Sequence, residues 1–168
     1  MKSSAAVLIL SACVTMSQCD DSDFHQPLSP AEDSVVDPNL LGAWGCPGEP
    51  GEPPSTVTFL DFDGRQYYVE FSAAGSKEAW RNRAIATDMT GVVFLSMQEI
   101  GTSRSEHWTM VEYLLPDSEH LTVRGIDFNQ FYDIRDDPAA VRQRLEAMRQ
   151  DPALYLGEQT CSKVKEKA

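Results

Sequence analysis

Four cysteines, three histidines and a large excess of carboxylates are the side chains of this 168-residue sequence that could do chemistry. Cys46 and Cys161 have no cysteine or histidine nearby at metal-ligand spacing, so neither is expected to hold a metal. His25 lies in an acidic stretch with Asp20, Asp21 and Asp23, but ordering four loose ligands costs entropy that nothing obvious offsets. His107 follows Glu106 directly, and on a strand adjacent residues face opposite sides. That spacing suits an exposed strand-end histidine better than an acid–base pair, and His120 merely follows a turn. Asp61-Phe62-Asp63-Gly64 begins like a calcium loop but lacks the later ligands and glycine, whereas a hairpin turn explains all four residues. Asp127 and Asp133 flank the aromatic run 128–132, where they either line a cleft or cover the loop into a helix. The sequence has no Gly-x-Ser-x-Gly, no His-Glu-x-x-His and no phosphate-cradling glycine loop. No catalytic residue, metal or cofactor is therefore assigned.

The first two cysteines invite a different chemistry. Lys2 precedes a short apolar run, Ala5 to Leu10, too short to cross a bilayer as a helix. It ends Leu10-Ser11-Ala12-Cys13, which resembles the lipobox of bacterial lipoproteins: an aliphatic residue, two small residues and the cysteine that receives the lipid. The resemblance implies a signal peptide over 1–12, lipid on Cys13 and a periplasm-facing envelope location. Met16-Ser17-Gln18-Cys19 is the alternative, with a signal over 1–18, although Gln18 is not the small residue expected there. In enterobacterial lipoproteins an aspartate after the lipidated cysteine favours the inner membrane. Val14 after Cys13 thus points to the outer membrane and Asp20 after Cys19 to the inner.

The formal charge is −12, and it becomes one unit more negative once Lys2 leaves with the signal. Such a chain repels nucleic acid and anionic lipid alike, so membrane contact needs the covalent anchor. Residues 13–38 mix acids, serines and prolines without periodicity and read as a disordered tether; one globular domain is expected over 39–168.

The elements that must position any site are mostly strands. Val57 to Phe62 and Gln66 to Ser72 flank Asp63-Gly64, the pair favoured in type I′ hairpins. Trp80 to Thr87 is a weaker strand and Gly91 to Gln98 a strong one. His107 to Leu115 and Leu121 to Ile126 form a second hairpin across Pro116-Asp117-Ser118-Glu119. Asp137 and Pro138 open a helix whose stripe is Val141, Leu145 and Met148, ended by Asp151-Pro152. Leu154 to Cys161 returns to the sheet edge, and Lys163, Lys165 and Lys167 read as a solvated terminus.

This order predicts a mainly β, α+β fold: a curved antiparallel sheet or small barrel with one C-terminal helix packed against it. About seven strands are countable. Gly42-Ala43-Trp44 at the first strand resembles the Gly-x-Trp of lipocalin-like barrels, which implies an arginine late in the chain packed over the tryptophan, with Arg124 the candidate, and a helix after the last strand. Cys46 and Cys161 lie at opposite ends of the domain and are expected to form a disulfide in an oxidising compartment. The expected function is non-catalytic binding of a small apolar ligand or an envelope protein. Tyr67, Tyr68, Trp80, Trp108 and Phe131 are the candidate contacts. The alternative is a hydrolase of envelope glycans whose two carboxylates meet only in three dimensions.

Overall fold

The computed structural model describes residues 23–48, 51, 53–102 and 106–165; the signal segment, Cys13 and Cys19 lie outside them. Eight strands make up the sheet: β1 Gly42–Cys46, β2 Ser55–Asp61, β3 Gln66–Ala73, β4 Ala79–Met89, β5 Val92–Glu99, β6 Thr109–Leu114, β7 His120–Ile126 and β8 Tyr155–Lys163. Each pairs antiparallel with the next, and β8 pairs with β1, closing a barrel. The expected barrel with a C-terminal helix packed against it is present, and the tail read as an edge element is the eighth strand that closes it.

Side-chain alternation decides which face of each strand is the interior. In β2 and β3, Val57, Phe59, Tyr67 and Val69 are buried, while Leu60 and Tyr68 between them face outward. In β4 and β5 the runs Ala84–Thr87 and Phe94–Gln98 are buried on both faces, because the outer wall there is itself covered. Two cores result. Trp44, Phe59, Tyr67, Leu95, Tyr113 and Leu121 belong to the cluster that fills the barrel. Ile85, Phe94, Met110 and Ile126 belong to a second cluster outside it, under the helix α1 (Pro138–Met148).

The sequence of α1 explains its start. Asp137 accepts the N–H groups of Ala139 and Ala140 at 3.0 and 3.1 Å, and Pro138 stands where a missing N–H costs nothing. Val141 and Leu145 are buried against the outer core, whereas Met148 is only partly buried. The helix lies between β7 and β8, not after the last strand as the lipocalin resemblance implies.

The tether expectation is corrected over its described part. Phe24, Leu28 and Ser34 are 2%, 1% and 3% exposed, and residues 23–40 form a strap across the outer wall. Phe24 exchanges backbone hydrogen bonds with Trp108 at 2.9 and 2.8 Å. The Leu28 N–H donates to Ser96 Oγ, and Ser34 Oγ accepts the Ala86 N–H, covering β4 where it outruns β3. Asp37 donates its N–H to Tyr67 Oη, and Leu40 seats in the barrel core. Few apolar residues suffice because serine hydroxyls satisfy backbone and sheet groups along the way.

Two turn details also differ from expectation. Only Gly64 of the Asp63-Gly64 pair has positive φ, at 79°, so the turn is not type I′, which needs both. Phe62 to Arg65 form a longer loop, closed by the Phe62 N–H to the Gln66 carbonyl. The two-residue loop with both φ positive is Thr90-Gly91, between the paired Met89 and Val92.

Candidate functional site

Cys46 and Cys161 are bonded, S–S 2.05 Å, as expected. The β1–β8 register pairs Trp44 with Lys163 and Gly45 with Ser162, so the disulfide stands at the next rung of the closing seam. It is a structural bond, 1% exposed on both sides.

Of the five candidate contact residues only Tyr67 and Tyr68 come together, at the cleft described below. Tyr67 is wholly inside the barrel, and its hydroxyl accepts from Asp37 at 2.6 Å. Trp80 is half-buried opposite Phe71. Trp108 and Phe131 are buried in the outer core, Trp108 against Phe24. Tyr68 alone presents its side chain on the outer wall, where it pairs with Leu60 and Arg83 on the neighbouring strands.

The basic partner of Trp44 is also corrected. Lys163 Nζ stands 4.9 Å from the ring centre, while the indole Nε1–H donates to the Leu40 carbonyl at 2.9 Å. Lys163 is half-buried in β8 and not part of a solvated tail. Gly42 has φ 116°, and a Cβ there would stand 3.4 Å from the Lys163 side chain, so the glycine both permits the turn and leaves room for the lysine. Arg124 instead donates to Glu158 at 2.7 Å and to Glu112 at 3.4 Å.

Glu112 was not anticipated. It is 2% exposed on the outer wall and accepts from the Tyr155 hydroxyl at 2.5 Å. Burial and then the Glu112 carboxylate push Tyr155 up to about 12. A charge inside the apolar run His107 to Leu115 was the available signal, since a buried carboxylate requires partners. Glu112 and Glu158 meet through Arg124, which offsets part of their charge, so the cluster ties β6, β7 and β8 together on the wall.

The remaining carboxylates and His25 also have structural partners, whereas the buried His107 Nδ1 has no hydrogen-bond partner among the described residues. Asp127 caps the 3₁₀ turn Phe128–Phe131 through the Asn129 N–H at 3.0 Å. The hydrogen bond from Arg144 holds Asp133 below the usual carboxylate range. Asp117 accepts the N–H groups of Glu119 and His120 and contacts the His120 ring, which lowers its pKa too. His25 pairs with Asp136, and the His107 ring lies 5.8 Å from that of His25. His107 is half-buried, not the exposed strand-end residue expected.

What the wall does offer is an open cleft of about 410 Å³, lined by Phe62, Gln66, Tyr67, Tyr68, Arg83, Gln98, Glu99, Ile100 and Gly101. Leu60, Tyr68, Arg83 and Gln98 form one outward row across β2–β5. Phe62 is 66% and Ile100 46% exposed, beside Leu60 at 50%. Arg83 donates its Nε–H to Gln98 Oε1 at 2.5 Å and stacks 5.1 Å from the centre of the Trp108 ring. Large apolar side chains exposed together on an otherwise polar wall are a mark of recognition surfaces.

Fold and site together define a class: a disulfide-closed, eight-stranded antiparallel barrel with a filled interior and an outer-wall cleft. The chain matches no protein-family model, no curated protein and no solved structure.

Proposed function

We propose that this chain is a non-catalytic, lipid-anchored module of the bacterial cell envelope, facing the periplasm, that binds a protein partner through the outer-wall cleft. The observation that carries the reading is where space is found. Side chains of the inner cluster fill the barrel at 0–9% exposure, while the cleft is open on its wall. A carrier of apolar ligands would need the reverse. A glycan hydrolase would need two carboxylates flanking the bond it cuts, and the cleft is lined by a single one, Glu99.

The Leu10-Ser11-Ala12-Cys13 motif supports the anchor, and the Cys46–Cys161 bond supports an oxidising compartment. Because the strap is already ordered at Phe24, the anchor is short. From Cys13 or Cys19 to Asp23 the chain spans at most about 35 Å or about 14 Å. Partners within reach of such a module belong to the membrane it sits on.

In the native host, radiolabelled palmitate should enter the protein and be lost in Cys13→Ala; label lost only in Cys19→Ala would move the anchor to Cys19. A photo-crosslinking residue placed at 62 should give discrete protein adducts that the same residue at 160, on β8, does not. No adduct at 62, or the same adducts from both positions, would overturn the partner reading.

A further inference from the structure

The Arg83 guanidinium is held in place yet has no carboxylate partner among the described residues. Its Nε–H is committed to Gln98, itself 7% exposed, and its Cζ lies over the ring of Trp108, 5% exposed. Both neighbours are therefore fixed by packing, and among the described residues only its Nε–H has a hydrogen-bond partner, which leaves the Nη1 and Nη2 edge to a ligand. Four other arginines meet carboxylates, Arg81 with Glu70, Arg124 with Glu112 and Glu158, Arg144 with Asp133 and Arg149 with Glu146, while Arg65 reaches the Glu32 backbone carbonyl. Among the described residues Arg83 has no carboxylate at ion-pair distance, in a chain with 26 acidic and 14 basic residues. A planar, pre-oriented guanidinium with that edge open is suited to donating two parallel hydrogen bonds to a carboxylate.

The rest of the cleft narrows the ligand. Phe62 and Ile100 offer exposed apolar surface beside Arg83, so the acid must carry a bulky apolar group close to it. Glu99 on the rim repels a second negative charge, which disfavours polyphosphates and nucleic acid. The cleft is open and the barrel behind it is filled, so a long acyl chain finds no tunnel to enter. A carboxylate and an apolar side chain share one residue at the end of a polypeptide.

Resting on the partner reading above, we infer that the cleft captures the C-terminal residue of a partner polypeptide, its carboxylate on Arg83 and its apolar side chain against Phe62 and Ile100. The probes are N-acetyl-Ala-Ala-Phe as the free acid, the same tripeptide as its C-terminal amide, and decanoate. Each is titrated by ¹H–¹⁵N NMR into the mature chain held in nanodiscs.

The free acid should shift the Tyr68, Arg83, Gln98 and Gly101 amides saturably, with the amide form about ten- to hundredfold weaker. Arg83→Gln should abolish that ratio, Arg83→Lys should keep part of it, and Phe62→Ala should weaken both forms together. Equal binding of acid and amide would overturn the inference, as would decanoate binding as well as the peptide acid. Absence of any shift in a folded protein would overturn it too. If the peptides fail while adducts from position 62 persist, the terminal-carboxylate inference falls and the partner reading stands. Loss of both removes both.

Discussion

Trp44 is fully buried, with its indole N–H on the Leu40 carbonyl and the Lys163 ammonium over its ring, so one side chain joins strap, β1 and β8. The tryptophan and its glycine were legible from Gly42-Ala43-Trp44. The cation was not, because Lys163 sits among terminal lysines whose spacing suggests only solvent. Lys163→Ala should cost about 1 kcal/mol in denaturant unfolding. Arg124→Ala should cost more, about 3 kcal/mol, because it leaves the buried Glu112 charge with one partner fewer. Equal costs would contradict the assignment of the two cations. The tyrosines set an alkaline limit. Burial raises Tyr67 and Tyr113 and, with Glu112, raises Tyr155 to about 12. A raised pKa means that the fold holds the proton longer than the unfolded chain, whose tyrosines titrate near about 10. That contribution is complete below about pH 10 and is lost as pH rises through the folded values. Unfolding curves from pH 9 to 12 should show the decline, flatter in Tyr155→Phe, and a wild type and variant falling in parallel would contradict it.

At the scale of elements, periodicity found what has periodicity. The strands of β2, β3, β5, β6 and β7 and the capped helix were readable, because alternation and the Asp137-Pro138 start are local signals. The strongest departure is β4, the longest strand, read as weak because its first half, Ala79 to Arg83, is polar and outward-facing at alternate positions. The strap escaped because a chain lying across a sheet has no period of its own. Its contacts are single side chains, Phe24 and Leu28, set in a stretch whose prolines and serines look like a linker. Phe24→Ala separates the two descriptions: it should destabilise the domain by about 3–5 kcal/mol, as for a core phenylalanine, whereas a tether residue would cost nothing measurable. The cleft was half legible for the same reason. Tyr68 was singled out, but Arg83, Gln98 and Ile100 are brought beside it only by the register of β3, β4 and β5.

At the scale of the whole molecule, closure depends on its shortest ladder. Two rungs and the hydrogen bond from the Val164 N–H to the Ala43 carbonyl join β1 to β8, with the Cys46–Cys161 bond beside them. The bond spans a sequence separation of 115, for which chain entropy allows a stabilisation of up to about 4–5 kcal/mol. Paired Cys46→Ala and Cys161→Ala substitutions should lower the unfolding free energy toward that value, and an unchanged denaturation midpoint would contradict the seam's dependence on the bond. The pairing was foreseeable from compartment and position in the chain, whereas the interior was not. Alternating strands reveal which residues point inward, but only the closed ring shows that Trp44, Tyr67 and Tyr113 belong to one buried cluster that fills the interior. That filled interior, with recognition moved to the outer wall, is the central claim, and a fluorescent fatty acid titrated into the mature protein tests it most directly. The account expects no saturable uptake into the barrel. One-to-one uptake that survives Phe62→Asp would contradict it.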